Sequence, residues 1–284
     1  MKIAVSSYSF SQKMWAGQMT LTDVIPEAKK LGFDGVEIVS PGKPFEEMLP
    51  IAKELKKQSD GEGMPICAYL TGNDFLMNGI DKEYERLKKE AEIAVVLGTD
   101  RMRHDATGGK DASGKVYTID EALPIVADGY RKVTEFAAGI GIHTMIENHG
   151  YFFQDSERVE RLIKTVNHPN FGWLVDVGNF MCADEKPVDA VTRAAKYAVH
   201  AHAKDFHFKT KDEYCPSQGW FGTRGGDRLR GAIIGHGAVN VPECLKILRA
   251  AGYDGWLSTE FEGMEECISA LKYDLTNLRE MLSK

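Results

Sequence analysis

The 284-residue chain lacks the marks of several protein classes. Its five cysteines form no CxxC pair and are spread along the chain, which indicates reduced thiols rather than a disulfide framework. No run approaches the roughly 18 consecutive apolar residues of a membrane span, and the opening apolar run is too short and too broken by serines for a signal peptide. We therefore expect a cytoplasmic protein with no membrane partner.

Basic charge is also scarce. The chain has 35 lysines and arginines against 42 acidic residues, a net charge of -7, and no basic block that would neutralise a phosphate backbone. Nucleic acid is therefore not an expected partner. No glycine-rich segment completes a phosphate-binding motif. Gly235-His236-Gly237 lacks the third glycine of a dinucleotide-binding motif, and Gly108-Gly109 and Gly225-Gly226 lack the lysine and the serine or threonine of a phosphate-binding loop.

The chain does have a regular alternation of short β-rich runs and longer amphipathic runs, with 43% hydrophobic residues to fill a large core. Each predicted strand is followed by a helical pattern. The eight strands are predicted at residues 2–9, 36–39, 66–70, 101–106, 143–148, 171–177, 199–206 and 256–261. Eight such units without a linker predict an α/β protein with one domain over residues 1–284, a single (β/α)8 TIM barrel rather than an open doubly wound sheet.

Four successive predicted strands end in side chains that can bind a metal, namely Glu147, Asp176, His202 and Glu260. In a TIM barrel the active site lies at the carboxyl ends of the strands, so these side chains should converge at one mouth. Three neighbouring carboxylates need a divalent cation to stay ionised together. The donor set favours Mn²⁺, with Mg²⁺, Co²⁺ and Zn²⁺ as alternatives. The competing interpretation is four unrelated surface or ion-pair residues.

Two further polar residues follow these ligands closely. His149 and Lys204 lie two residues beyond Glu147 and His202, so on extended chain they should project to the same side and bring an acid-base group and a cation near the metal. The alternative is a histidine satisfied by the backbone and a solvated lysine. Glu37 ends the second strand, where it either supports the metal ligands from behind or has no part in the site.

Candidate substrate-binding residues lie at the fourth strand and in one long loop. Arg103 and His104 end the fourth strand and suit a carboxylate or a hydroxyl group, or an ion pair. The loop after the seventh strand, at about residues 207–238, is long enough to act as a lid or as a contact surface of a homo-oligomer. It carries Arg230 and His236. His200 begins the seventh strand, at the end of the barrel away from the mouth, and is expected to be structural.

The sequence resembles the xylose-isomerase-like barrels, which include sugar and sugar-phosphate isomerases, ketose 3-epimerases, hydroxypyruvate isomerases, and inosose and dehydroshikimate dehydratases. The resemblance spans nearly the whole chain. It rests on the segments AVSSYSF, GFDGVEI, IENHG, LVDVGN, HAHAKD and, most specifically, IGHGAVNVPECLKILRAAGYDGWLSTEFEG.

The resemblance implies that Glu147, Asp176, His202 and Glu260 form the family's metal tetrad, and that Glu147 and Glu260 form the carboxylate pair that exchanges protons in the epimerases. In dehydratase-like members, the positions of His149 and Lys204 act in catalysis or substrate binding. One position departs from the pattern: many members have Asp-x-x-His after the sixth strand, where this chain has Asn179 in place of the histidine. Asn179 is accordingly a candidate for substrate contact.

The leading functional interpretation is a metal-dependent isomerase or epimerase acting on a sugar or polyol ketone through an enediolate. The alternative is a metal-dependent dehydratase of the inosose or dehydroshikimate type, which uses the same enolate but expels a β-hydroxyl group. The absence of a phosphate-binding glycine turn favours an unphosphorylated carbohydrate substrate. An abasic-site endonuclease is less favoured because of the acidic charge and the single histidine in the tetrad, and a non-catalytic sugar-binding barrel is disfavoured by the complete tetrad.

Overall fold

Eight parallel strands close into a barrel, which confirms the predicted (β/α)8 fold class. The computed structural model describes all 284 residues. Each barrel strand pairs with its neighbours in chain order, and the last pairs with the first to close the ring. The barrel strands are β1 Lys2–Ser6, β2 Gly35–Val39, β3 Ile66–Thr71, β4 Arg101–His104, β5 His143–Glu147, β6 Phe171–Asp176, β7 Ala198–Ala203 and β11 Trp256–Thr259.

Helices surround the barrel and bury their apolar faces against the outward-facing residues of the strands. Local signals determine where the helices begin and end. The Thr118 and Glu121 side chains form a capping box at the start of the helix Ile119–Gly139, and Gly32 ends the helix Val24–Leu31 in the left-handed conformation. None of them is both long and apolar enough to cross a membrane. The helices are α1 Ser11–Trp15, α2 Val24–Leu31, α3 Phe45–Glu62, α4 Phe75–Asn78, α5 Ile80–Leu97, α6 Ile119–Gly139, α7 Ser156–Val166, α8 Pro187–Ala194, α9 Val241–Ala250 and α10 Cys267–Ser283.

The interior of the barrel is divided between apolar and polar side chains. Alternate residues of a strand point inward, so each strand contributes residues two apart to the interior. Below the mouth, on β3, β5 and β6, these positions are apolar and pack together as Ala68, Leu70, Met145 and Leu174. On β2, β7 and β11 they are polar, and Glu37, His200 and Ser258 are buried and hydrogen-bonded to one another. The interior of a barrel of this size is normally filled by branched apolar residues, so the polar half indicates a specific role.

The long segment after β7 is not an irregular loop. It contains a three-stranded antiparallel sheet in the order β8-β10-β9, with β8 at Asp205–Lys209, β9 at Phe221–Gly222 and β10 at Arg228–Ala232. The predicted seventh strand therefore divides into two, because β7 ends at Ala203 and β8 leaves the barrel at Asp205. Gly231 on β10 forms an isolated parallel bridge with Gly263, which places this outer sheet beside the end of β11.

Asp205 joins the two ends of this segment. Its carboxylate accepts hydrogen bonds from the backbone N–H groups of Phe206, Gly235, Gly237 and Val239, at 2.8 to 3.0 Å. A backbone turn that presents several N–H groups to one carboxylate is strongly held, since each bond is charge-assisted. The outer sheet is thus anchored at its base, next to the mouth of the barrel.

Candidate metal centre and active site

The four predicted ligands meet at the mouth of the barrel. Glu147 and Asp176 are the last residues of β5 and β6, His202 lies in β7, and Glu260 follows β11 directly. All four are buried. His202 Nδ1 lies 3.6 Å from Glu147 Oε1, 3.7 Å from Asp176 Oδ2 and 3.7 Å from Glu260 Oε2, and the four candidate donor atoms lie within 4.8 Å of one another.

The spacing of these atoms fits a shared cation better than direct hydrogen bonds. Distances of 3.6 to 3.7 Å are too long for hydrogen bonds, and His202 Nδ1 and Asp176 Oδ2 are buried with no hydrogen-bond partner. Ligands that share one Zn²⁺ at about 2.0–2.2 Å lie roughly 3–4 Å apart. Buried unpaired polar atoms are costly, so their convergence on one point is evidence for a bound ion. The residues present fit a divalent cation.

Two cations flank the ligands. Arg103 Nη2 lies 2.7 Å from Glu147 Oε2, while Lys204 Nζ forms an ion pair with Glu260 and lies 3.4 Å from Asp176 Oδ2. Burial by itself raises the pKa of a carboxyl group, but Arg103 outweighs it and lowers the pKa of Glu147, and Lys204 with His202 lowers that of Glu260 well below its usual range. Both carboxylates are therefore ionised and paired.

Protonation of His202 competes with metal binding. Burial lowers the pKa of His202, yet the charges of Glu37 and Glu260 outweigh it and raise that pKa well above the usual range. In the metal-free cluster the ring therefore carries a second proton, and a cation at Nδ1 must displace it.

Asn179, at the departure from the family pattern, contacts a ligand. Its Nδ2 donates to Glu147 Oε1 at 3.1 Å, and its Oδ1 accepts from Lys204 Nζ at 3.2 Å. The backbone N–H of Asn179 also donates to Asp176 Oδ1, which leaves Asp176 Oδ2 directed at the cluster. Asn179 thus orients two ligands and the flanking lysine. Its predicted contact with substrate remains a prediction.

His149 lies at the opening of the site and is oriented by Asp105, a residue that the sequence analysis did not single out. The two are 3.0 Å apart through His149 Nδ1 and Asp105 Oδ1, and the His149 side chain is 47% exposed. Burial lowers the pKa of His149, but the hydrogen bond and charge of Asp105 outweigh it and raise the pKa. With Nδ1–H donated to Asp105, Nε2 of the neutral ring is left as a base.

These side chains surround a cavity of about 220 Å³. At about 30 Å³ per water, it holds on the order of seven waters, the size of one small polyol. Its lining includes Glu262, whose carboxylate lies 3.8 Å from Lys204 Nζ, and which sequence reasoning also missed. The lining residues are Tyr8, Val39, Thr71, Gly72, Arg103, Asp105, Glu147, His149, Lys204, Glu260 and Glu262.

The sequence pattern of the xylose isomerase-like TIM barrel family matches residues 25–281. The chain belongs to this family. Among its relatives, an inosose dehydratase from Clostridium beijerinckii is 24% identical over 258 residues, which cover 86% of this chain and 82% of that protein.

Solved structures of xylose isomerase-like barrels superpose over the whole chain. AsbF, a probable 3-DHS dehydratase from Bacillus anthracis, has a TM-score of 0.74 at 22% identity and covers 98% of this chain and 99% of its own. The IolI protein, solved with a bound zinc atom, has a TM-score of 0.75 at 17% identity and covers 100% and 98%. At these identities the likeness shows the shared fold.

Four residues that were predicted to bind substrate, Asn179 among them, are not among the residues lining the cavity of this xylose isomerase-like barrel. His104 points outward from β4, is fully buried and stacks on Tyr130 of α6, so its position does not fit contact with a substrate. Arg230 lies on β10 with its guanidinium 5.6 Å from the Trp220 ring. His236 is exposed in the turn before α9.

Proposed function

We propose that this protein is a metal-dependent dehydratase that removes water from a neutral polyhydroxy ketone. The observation that carries the proposal is a pair of acid-base groups in addition to the ligands: His149, oriented by Asp105, and Lys204. Glu147 and Glu260 are each paired with a cation that lowers the pKa of the carboxyl group, which makes them weak bases. The dehydratase names of the relative and of AsbF support this choice.

Each of these residues has a separate role in the proposed reaction. His149 Nε2 removes the proton from the hydroxyl-bearing carbon next to the ketone, and Lys204 donates a proton to the hydroxyl group on the following carbon. That C–O bond breaks, a C=C bond forms, and one water leaves. The resulting enol tautomerises to a diketone. Glu147, Asp176, His202 and Glu260 would hold a divalent cation, which would polarise the ketone and stabilise the negative charge that develops on its oxygen.

The charge around the cavity favours a neutral substrate. Its lining brings Asp105, Glu147, Glu260 and Glu262 together with only two obligate cations. Arg103 is paired with Glu147 and with Asp105, and Lys204 with Glu260, so neither is free to bind an anion. A carboxylate or phosphate group would have to compete with these carboxylates for the two cations, whereas hydroxyl groups can donate hydrogen bonds to the carboxylates. Cyclic polyols with one ketone, such as an inosose, meet this requirement.

The test is incubation of the Mn²⁺-loaded protein with an inosose while ultraviolet absorption reports the conjugated enol of the product. We expect absorption to rise, and His149→Gln to slow it by about 10²–10⁴-fold. His143→Gln is the matched control, because His143 is exposed at the opposite end of β5. Wild-type turnover in His149→Gln would contradict the role of this histidine.

A second candidate is the isomerase or epimerase. It is favoured by Glu147 and Glu260, two carboxylates on different strands that approach the same histidine nitrogen. In D₂O this reaction would place deuterium next to the ketone and retain every hydroxyl group, whereas the dehydratase releases water. Proton NMR of the recovered material separates the two outcomes.

A further inference from the structure

The carboxylate of Glu37 lies inside the barrel beneath the metal ligands, and one of its oxygens collects three donors. Oε2 is 2.8 Å from His200 Nε2, 2.9 Å from His202 Nε2 and 3.1 Å from Ser258 Oγ. All four residues are completely buried. We call Glu37, His200, His202 and Ser258 the Glu37 network.

The network determines which nitrogen of His202 is free. A hydrogen bond to a carboxylate needs a donor, so the proton of the neutral ring lies on Nε2. The lone pair is then on Nδ1, the atom that lies 3.6 to 3.7 Å from the three ligand carboxylates. A histidine ligand whose other nitrogen donates to a carboxylate is fixed in both tautomer and ring orientation.

We propose that Glu37 is a positioning residue that holds His202 in the Nε2–H tautomer and directs Nδ1 at Glu147, Asp176 and Glu260. His200 and Ser258 hold the carboxylate in turn: they come from β7 and β11, while Glu37 reaches across from β2. This inference rests on the proposed metal site but not on the proposed reaction.

The same atoms admit another interpretation, since Glu37, His200 and His202 also group closely enough to hold an ion of their own. The distances oppose it. Separations of 2.8 and 2.9 Å match N–H···O hydrogen bonds, and are shorter than the roughly 3–4 Å between two ligands of one ion. Hydrogen bonding therefore accounts for the group.

The first test measures affinity for Mn²⁺ alone, by competition with a chelator, without any substrate. Glu37→Gln keeps the size of the side chain but can turn its amide N–H₂ towards His202 and favour the wrong tautomer, so we expect affinity to fall by about 10–100-fold. Ser258→Ala removes one of three donors and should cause a smaller loss. Glu90→Gln is the control, because Glu90 is a buried carboxylate of α5 that binds Tyr69 and Arg86 and none of the four ligands.

The second test reads the tautomer directly. Nitrogen NMR of the metal-free wild type, taken at alkaline pH where His202 is neutral, should show the proton on Nε2, with His202→Ala assigning the signals. An Nδ1–H tautomer overturns the proposal, as does wild-type Mn²⁺ affinity in a folded Glu37→Gln. Two ions per chain, one lost in Glu37→Gln, would make Glu37 a ligand and overturn it too. Failure of the wild type to bind Mn²⁺ would remove the proposed metal site and leave the tautomer to decide on Glu37.

Discussion

Replacing Lys204 by methionine should make the folded protein depend on a divalent cation. Lys204 is buried at the mouth, pairs with Glu260 and lies 3.4 Å from Asp176 Oδ2. Methionine has a similar length and no charge, so the change removes the cation with little loss of volume. The metal-free cluster then keeps its three carboxylates with one less positive charge.

Two estimates of the free energy of unfolding that is lost with Lys204 agree. Two unit charges 3.4 Å apart interact by roughly 5 kcal/mol at an effective dielectric constant of about 20. Removal of one partner from a buried ion pair typically costs about 3–5 kcal/mol. The free energy of unfolding of metal-free Lys204→Met should therefore fall by about 3–5 kcal/mol at pH 8.

The loss of unfolding free energy in Lys204→Met should become smaller as the pH falls. In the wild type the pKa of Glu260 is held well below its usual range, so this carboxylate contributes stability above its unfolded pKa of about 4.3 and loses it as the pH drops through the folded value. Without Lys204, only His202 still opposes the effect of burial, so the pKa of Glu260 should rise from its position in the wild type. The variant is then destabilised at pH 8 and recovers towards pH 5, as Glu260 takes up a proton.

The measurement is denaturant unfolding at pH 8 and pH 5, with and without Mn²⁺. Mn²⁺ should stabilise Lys204→Met more than the wild type, because a competing cation is gone; saturation at a hundred times Kd is worth about 2.7 kcal/mol. Activity should not return, since the proposed proton donor is missing. Lys13→Met, which breaks a surface pair with Glu266, is the control. Equal unfolding midpoints for metal-free wild type and Lys204→Met at pH 8 would refute the reasoning.

Two other predictions concern the base and the outer sheet. Asp105→Asn removes the charge that raises the pKa of His149, so the acid limb of the kcat/KM profile should move to lower pH, while Asp100→Asn leaves it unchanged; an unmoved limb would exclude His149 as the titrating base. Replacing residues 211–219 by a short turn should raise KM while metal content and thermal unfolding stay as in the wild type, because surface loops lie outside the core. A truncated protein with unchanged KM would show that this tip does not act as a lid.

The convergence of the four ligands was predictable because it needs only two regularities. Strand ends of a TIM barrel share one mouth, and residues two apart share one side. The same alternation separates Arg103, which points inward to Glu147, from His104, which points outward to Tyr130. Applied to β4, it would also have identified Asp105, two residues after Arg103.

Other features depend on contacts between distant segments, which periodicity does not encode. Glu37 is joined to His200 and His202 only because β2 and β7, which are separated in the barrel by β1 and β11, both direct these side chains into the interior. The outer sheet pairs β8 with β10 across about twenty residues rich in glycine and charge, so no hairpin turn marks it. Long-range pairing of this kind is settled by tertiary packing.

The anchoring of the outer sheet by Asp205 has a consequence for engineering and for evolution. The Asp205 carboxylate accepts hydrogen bonds from N–H groups at both ends of the segment that carries the outer sheet. The chain therefore leaves the barrel and returns to it at nearly the same point. What lies between these ends can change in length and sequence without altering the spacing of β7 and α9. The segment is therefore an exchangeable module: a donor segment grafted between Phe206 and Gly235 would inherit a fixed base beside Lys204 and Glu260. The module can diversify there while Glu147, Asp176, His202 and Glu260 stay in place.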